Sequence, residues 1–106
     1  MGTQRAQSGE DFRDVVWSAL RTVIDPELQL DVVTLGLIYD VDVAFAAAGA
    51  TVRVTHTLTT PGCPMEQVIT AGIRGAVGGL AGVSSVETRL VWDPQWHPGM
   101  MASGAA

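Results

Sequence analysis

The chain contains no lysine and only one cysteine, and both scarcities limit what it can do. Its six strongly basic residues are all arginines and stand against 11 acidic residues, which gives a net charge of -5. Because binding to a nucleic-acid backbone depends on clustered positive charge, we expect no nucleic-acid partner. One cysteine, Cys63, excludes an internal disulfide and a self-contained four-cysteine zinc or iron-sulfur site. A metal bound through Cys63 therefore needs ligands from another protomer, another protein, a small thiol or other residue types.

Long hydrophobic runs are also missing. No apolar stretch approaches the roughly 20 residues that span a bilayer, and residues 1–8 lack the apolar centre of a secretory signal. The chain has 106 residues, of which 47% are apolar and 16% are charged, as expected for one globular domain. We therefore predict a cytoplasmic protein with no membrane partner and a single domain over residues 1–106, with an ordered core at about 9–98 and mobile termini.

Two segments have the hydrophobic spacing of amphipathic helices. The first runs from Phe12 to Val23 and follows a capping box formed by Ser8 and Asp11. The second runs from about 64 to 80. Its flank carries a stripe of three glycines, Gly72, Gly75 and Gly79. Because glycines have no side chains, this stripe would let another backbone approach closely, either that of the sheet or that of a second protomer. The alternative is that the glycines only reduce the stability of the helix.

Three segments alternate between apolar and polar residues, which predicts strands. They span 39–45, 51–58 and 86–92. A loop at 46–50 makes the first two a hairpin, and the second helix is the crossover to the third strand. We therefore predict an α+β fold of order helix-strand-strand-helix-strand, in which a three-stranded mixed sheet carries both helices on one face.

Two proline-containing segments are predicted to be irregular. Pro26 ends the first helix, because proline disfavours helical geometry in the residue before it, and an irregular connection then runs to Gly36. We expect the carboxylate of Asp25 to accept hydrogen bonds from the backbone amides of the turn that follows it. Near the C-terminus, residues 93–101 are expected to fold back on the domain, with Trp92 and Trp96 as apolar anchors.

Cys63 lies where the second predicted strand gives way to the second helix. Pro64 suits the first helical turn, since the amide that it lacks would be unpaired there. The free N–H groups and the helix dipole favour a thiolate, so Cys63 is a candidate metal ligand or nucleophile; a small apolar residue packed under the turn is the alternative. His56, on the apolar side of its strand, is either a hydrogen-bonded histidine at the edge of the core or a group held near Cys63.

Four blocks of this sequence resemble one known family. They are Ile24–Leu28, Asp31–Asp40, Thr57–Pro64 and Trp92–Pro98. In this order, and over nearly the whole chain, they are similar to the iron-sulfur assembly factors that include SufT, the phenylacetate-pathway protein PaaD and the cytosolic assembly component that works with MMS-type targeting factors. The resemblance implies a small α/β domain and a role in maturing iron-sulfur proteins.

The resemblance also implies which residues form the site. Cys63 matches the family's cysteine and would hold iron or a cluster transiently, with His56 as an auxiliary candidate. Asp25, Thr57 and Thr59 match motif positions. The other motif residues are expected to be structural, and they are Glu27, Thr60, Pro61, Gly62 and Pro64.

The chain departs from the family pattern in three places. Gln29 stands where a glycine is common, and His56 stands where the family more often has an apolar residue. His56 is then either a local addition to the site or an incidental polar replacement. The chain also lacks the cysteine-bearing C-terminal extension of PaaD, which favours a generic or SufT-like member.

We predict an assembly or targeting factor rather than an enzyme. A lone thiolate such as Cys63 binds a cluster weakly, and weak, shared ligation suits a protein that hands its cargo on. Its partners would be iron-sulfur scaffold or apo-target proteins, and a homodimer is the simplest way to pair two cysteines. Two alternatives stay open: an enzyme with Cys63 as nucleophile and His56 as base, and a structural adaptor in which Cys63 is buried and idle.

Overall fold

A computed structural model describes residues 9–59 and 63–101 of the chain. Several sequence predictions lie outside these residues: the helix cap at Ser8, the motif residues Thr60, Pro61 and Gly62, and the mobility of both chain ends. The elements, in chain order, are α1 (Gly9–Leu20), β1 (Ile24–Asp25), β2 (Leu30–Asp31), β3 (Ile38–Ala46), β4 (Gly49–His56), α2 (Cys63–Gly78), β5 (Val83–Leu90) and a 3-10 turn (Pro98–Met100). The two helices and three long strands confirm the predicted order.

The main sheet has the strand order β3-β4-β5. β3 and β4 are antiparallel, and Ala46 pairs with Gly49, so the predicted loop at 46–50 shortens to a two-residue turn. β4 and β5 are parallel, which makes the sheet mixed and makes α2 the crossover between them. The mixed three-stranded sheet is therefore confirmed.

The connection between α1 and β3 is more regular than predicted. β1 and β2 form a small antiparallel hairpin, in which Ile24 pairs with Asp31 and Asp25 with Leu30. Strands of two residues are too short to produce a visible alternation, so their sequence gives no strand signal. The prediction of an irregular connection after Pro26 was therefore wrong at Leu30 and Asp31.

The core lies between the helices and one face of the sheet. Fully buried members from the helices and the sheet include Val16, Leu20, Val52, Val54, Ile69, Ile73 and Val77, and the segment before β3 adds Val32, Leu35 and Leu37. The opposite face of the sheet is polar, and there Arg53 Nε lies 3.2 Å from Glu87 Oε1. Both side chains of this pair are exposed, so it contributes little to stability. The fold therefore depends on the two-layer apolar core.

An arginine from each helix binds the backbone of an edge strand. Arg13 Nε in α1 donates to the carbonyl of Val41 in β3 at 3.0 Å, and Arg74 Nη1 in α2 donates to the carbonyl of Val86 in β5 at 3.2 Å. Unpaired backbone groups on an edge strand are a template for another strand. These two contacts therefore disfavour association by strand addition at either edge.

No backbone of the sheet approaches the glycine stripe of α2 closely at the described residues. A Cβ added at Gly72 would lie 2.9 Å from Cγ1 of Val23, so this glycine makes room for a side chain. A Cβ at Gly75 would meet no atom within 4 Å, and α2 itself ends at Gly78, before the predicted end. At Gly79 a Cβ would lie 3.3 Å from the carbonyl oxygen of Gly75, so Gly72 is the one glycine of the stripe at which another element of the chain comes close.

The C-terminal segment folds back across the domain. Trp96 Nε1 donates to the carbonyl of Leu35 at 2.6 Å, and its ring packs against the core. Gly36 has φ +80°, and a Cβ there would collide with the carbonyl of Met100, so this glycine lets the 3-10 turn approach. That turn is regular structure in a segment predicted to have none. Trp92, the other predicted anchor, is 44% exposed and lies outside the buried core.

Candidate functional site

Cys63 is the first residue of α2, and the chain reaches it from the carboxyl end of β4, which is His56. The first N–H groups of a helix lack intrahelical partners and carry a partial positive charge. In general, the start of a helix favours a cysteine thiolate over the thiol. The structure describes the backbone of Cys63 and not its side chain.

Asp25 organises the turn between β1 and β2. It is 1% exposed, and its Oδ1 accepts hydrogen bonds from the amides of Glu27 at 2.8 Å and Leu28 at 3.1 Å, which are the contacts that the sequence predicts. The side chain of Glu27 is exposed, so this residue contributes a backbone amide to the turn. β1 contacts α2, and Asp25 therefore helps to fix the segment that packs beside that helix.

Asp31 makes the same kind of turn and was missed by sequence reasoning. Its Oδ2 accepts from the amides of Val33 at 3.0 Å and Thr34 at 2.9 Å. The available signal was an aspartate placed two and three residues before the amides that it caps, as at Asp25. Two carboxylates thus hold both ends of the segment that leads into β3.

His56 is buried, with 1% of its surface exposed. Its Nδ1 lies 3.4 Å from the carbonyl oxygen of Thr57, while Nε2 has no hydrogen-bond partner. Burial lowers the pKa of His56, and the Thr57 carbonyl and the negative charge of Glu66 act in the opposite direction. The side chain therefore has the burial expected of a core histidine but satisfies at most one of its two nitrogens.

The hydroxyl of Thr57 is also buried without a hydrogen-bond partner. It lies beside Tyr39, whose own hydroxyl donates to the carbonyl of Pro94 at 2.7 Å. Burial raises the pKa of Tyr39; the nearby Thr57 hydroxyl favours the ionised phenol, although the pair falls short of hydrogen-bond geometry. Two unsatisfied polar atoms, His56 Nε2 and Thr57 Oγ1, therefore follow one another at the end of β4.

A groove of about 250 Å³ lies at this end of the sheet. Its lining is Leu58, Thr59, Trp92 and Gln95. It brings the motif residue Thr59 together with the exposed indole of Trp92. A larger apolar groove of about 570 Å³ lies at the other end of β4, beside Gly49 and Phe45. None of the motif residues that the structure describes lines that larger groove.

Neither a preformed metal cluster site nor a membrane span is found in the part of the chain that the structure describes. No three histidine, cysteine, aspartate or glutamate side chains within it are grouped so that they could hold a metal ion. None of its helices is long and apolar enough to cross a bilayer.

Pro64 is exposed at the start of α2, as expected of a proline in the first helical turn.

Comparison with known proteins identifies the family. The sequence pattern of the family described as "Iron-sulfur cluster assembly protein" matches residues 13–88. The chain belongs to this family. The match includes the β1-β2 hairpin, β3, β4 and the Cys63 turn, so the resemblance noted in the sequence is confirmed.

Individual relatives agree with the family assignment. The chain is 40% identical over 105 residues to an Fe-S protein maturation auxiliary factor of Porphyromonas gingivalis, covering 99% of this chain and 93% of the relative. It is 46% identical over 77 residues to an iron-sulfur cluster carrier protein of Synechocystis, covering 73% of this chain but 21% of that longer protein. A crystal structure of a domain of unknown function from Bacillus anthracis superposes with a TM-score of 0.80 at 35% identity, covering 94% and 92% of the two chains.

Proposed function

We propose that this iron-sulfur maturation factor passes iron or a cluster to apo-proteins in the cytoplasm, using Cys63 as its transient ligand. The observation that carries the proposal is the position of Cys63, the chain's one cysteine, at the first residue of α2. The helix terminus favours the thiolate that iron requires. The relatives named above as a maturation factor and a carrier support the same role.

Weak, shared ligation follows from the donor set. Within the described residues no group of three potential ligands exists, and the sequence supplies one sulfur. Because tight cluster binding needs several thiolates, cargo held at Cys63 needs ligands from a second molecule. A site of this kind exchanges its cargo instead of retaining it.

The partner that completes the site is an iron-sulfur scaffold, an apo-target protein or a second copy of the chain. The edge arginines Arg13 and Arg74 disfavour pairing through β3 or β5. Contact near the start of α2 is supported instead, since Val68 and Trp92 are exposed apolar residues. Trp92 also lines the groove beside Thr59.

A catalytic role for Cys63 has less support. A cysteine nucleophile paired with His56 needs a third group that orients the imidazole toward it. The polar contact of His56 within the described residues is to the neighbouring Thr57 carbonyl. We therefore propose a carrier without turnover.

Anaerobic reconstitution tests the proposal. Wild-type protein and Cys63→Ser are incubated with ferrous iron and sulfide, followed by absorption spectroscopy and then by transfer to an apo-ferredoxin. We expect thiolate-to-iron absorption and transfer with the wild type, and neither with Cys63→Ser. Equal transfer by Cys63→Ser would refute the cysteine's role. Light scattering of the loaded wild type distinguishes a homodimer from a complex that forms with the client alone.

Denaturant unfolding of Cys63→Ser is the matched control. On the carrier proposal the serine variant keeps its stability within about 0.5 kcal/mol, as for a surface substitution away from the core. A loss of several kcal/mol would instead support the structural adaptor, in which the cysteine contributes to packing.

A further inference from the structure

Residues 92–101, which we call the strap, cross the domain without joining the sheet. The amide of Val91, just before them, donates to the carbonyl of His56 in β4 at 2.9 Å. Beyond Val91, in the part of the chain that the structure describes, the backbone hydrogen bonds of the strap run within the strap itself. No backbone ladder therefore attaches the strap to the domain at the described residues.

Side chains fasten the strap instead. Trp96 Nε1 donates to the carbonyl of Leu35 at 2.6 Å, and Tyr39 Oη donates to the carbonyl of Pro94 at 2.7 Å. Trp96 and Met101 also pack against the core. Lifting the strap breaks these contacts but leaves the hydrogen bonds of the sheet in place.

Little apolar surface holds the strap down. Seven of its ten residues are exposed, and Trp96, Met100 and Met101 are half-buried. Segments with few buried apolar contacts open at a lower free energy than the core of the same protein. Val54, in the central strand, is fully buried and paired on both sides. The strap and the sheet are therefore expected to open separately.

We propose that the strap detaches from the domain as one unit while the sheet stays folded. Trp92 and Gln95 of the strap form one side of the groove beside Thr59, and Leu58 and Thr59 form the other side. The groove therefore exists only while the strap is docked. This inference does not depend on the proposed function, because it involves no ligand of the cargo.

Two buried atoms at the end of β4 favour the open state. His56 Nε2 and Thr57 Oγ1 have no hydrogen-bond partner in the structure. An unpaired buried polar atom destabilises the state that buries it, and contact with water removes that penalty. The strap leaves the sheet beside His56, so its detachment opens this end of β4 to water. A partner bound in the groove would hold the strap closed, and a partner that reaches the uncovered end of β4 would hold it open.

Hydrogen exchange of the folded wild type, followed by NMR at low urea concentrations, tests the proposal. The indole N–H of Trp96 reports the docked strap, because it bonds to the carbonyl of Leu35, and the amide of Val54 reports the sheet. An opening that exposes little surface responds weakly to urea, whereas global unfolding responds strongly.

We expect the Trp96 indole to exchange at least about 100-fold faster than the Val54 amide, after correction for intrinsic rates, and to depend little on urea. If exchange of the indole rises with urea as steeply as that of Val54, the strap leaves only when the domain unfolds, and the proposal is wrong. This comparison needs no variant.

Tyr39→Phe tests whether the strap opens as one unit. It removes the bond to Pro94 and keeps the bond between Trp96 and Leu35. If both attachments are released together, the Trp96 indole should exchange about 2- to 10-fold faster than in the wild type. An unchanged rate would show that the two attachments open independently and would overturn the proposal.

Thr51→Val is the matched control. It removes the 3.0 Å contact between Thr51 Oγ1 and Ser85 Oγ on the sheet, which is present whether the strap is docked or detached. The Trp96 indole should therefore exchange at the wild-type rate, whatever happens at Val54. Equal acceleration of the indole in Thr51→Val and Tyr39→Phe would assign its exchange to opening of the whole domain and refute a separate strap.

Discussion

Gln29 holds a backbone conformation that suits glycine. Its φ is +60°, in the left-handed region, at the position where the resembled family commonly has glycine. A side chain costs about 1–2 kcal/mol in this region, because Cβ approaches the carbonyl oxygen. The side chain of Gln29 is exposed, so its removal sacrifices no core packing. Gln29→Gly should therefore stabilise the protein.

The net gain is smaller than the strain that is relieved. Glycine loses more conformational freedom on folding, which costs about 0.5–1 kcal/mol. The backbone bond from the amide of Gln29 to the carbonyl of Asp25, 2.7 Å long, is kept in either case. We expect a gain of about 0.5–1 kcal/mol in the free energy of unfolding, or a rise in Tm of about 2–8 °C for a domain of this size.

Urea unfolding of the wild type, Gln29→Gly and Gln29→Ala measures the effect. Alanine keeps Cβ and so keeps the strain, and it should stay within about 0.5 kcal/mol of the wild type. If Gln29→Gly is no more stable than Gln29→Ala, the left-handed conformation carries no such strain and the reasoning fails.

Two further predictions concern buried polar residues. Asp25→Ala removes the acceptor of two amide bonds and should lower the free energy of unfolding by about 0.5–2 kcal/mol, while Asp25→Asn, which keeps an oxygen, should lose less. Folded Asp25→Ala should still bind iron. If it loses iron as completely as Cys63→Ser does, Asp25 is a ligand. Since burial lowers the pKa of His56 below its ordinary 6.5, stability should be undiminished above pH 6.5 and fall as the pH drops toward the folded-state pKa. Thermal unfolding measured at several pH values should show this fall in stability in His97→Gln and not in His56→Val. If His56→Val shows the same fall, other titrating groups cause it.

The long elements were predictable because each has a strong repeat. Strand alternation at Val52 and Val54 and helical spacing at Ile69, Ile73 and Val77 follow directly from burial on one face. The β1-β2 hairpin was not predictable in this way, because a two-residue strand contains no period. Its turn depends on two local features, the carboxylate of Asp25 and the conformation of Gln29.

The location of Cys63 was predictable, but the state of His56 was not. Pro64 and the end of the strand pattern mark a strand-to-helix turn in the sequence itself. Alternation places His56 on the buried side of β4, yet whether Nε2 finds a partner depends on what α2 and the chain after β4 bring beside it. Those neighbours are set by tertiary packing, which one strand's sequence does not encode.

The mixed sheet explains why distant sequence blocks meet at one end of the molecule. β4 and β5 are parallel, so their carboxyl ends, at His56 and Leu90, lie side by side, and the amide of Val91 donates to the carbonyl of His56 at 2.9 Å. The amide of Thr57 donates to the carbonyl of Leu37 at 2.9 Å, which attaches the entry to β3 at the same place. In open sheets the carboxyl ends of parallel strands are the usual location of binding sites. The segment that leads from β4 to Cys63 therefore starts from backbone that is hydrogen-bonded on two sides. On the proposed function, this anchoring would keep the support of Cys63 fixed while a partner takes the cargo.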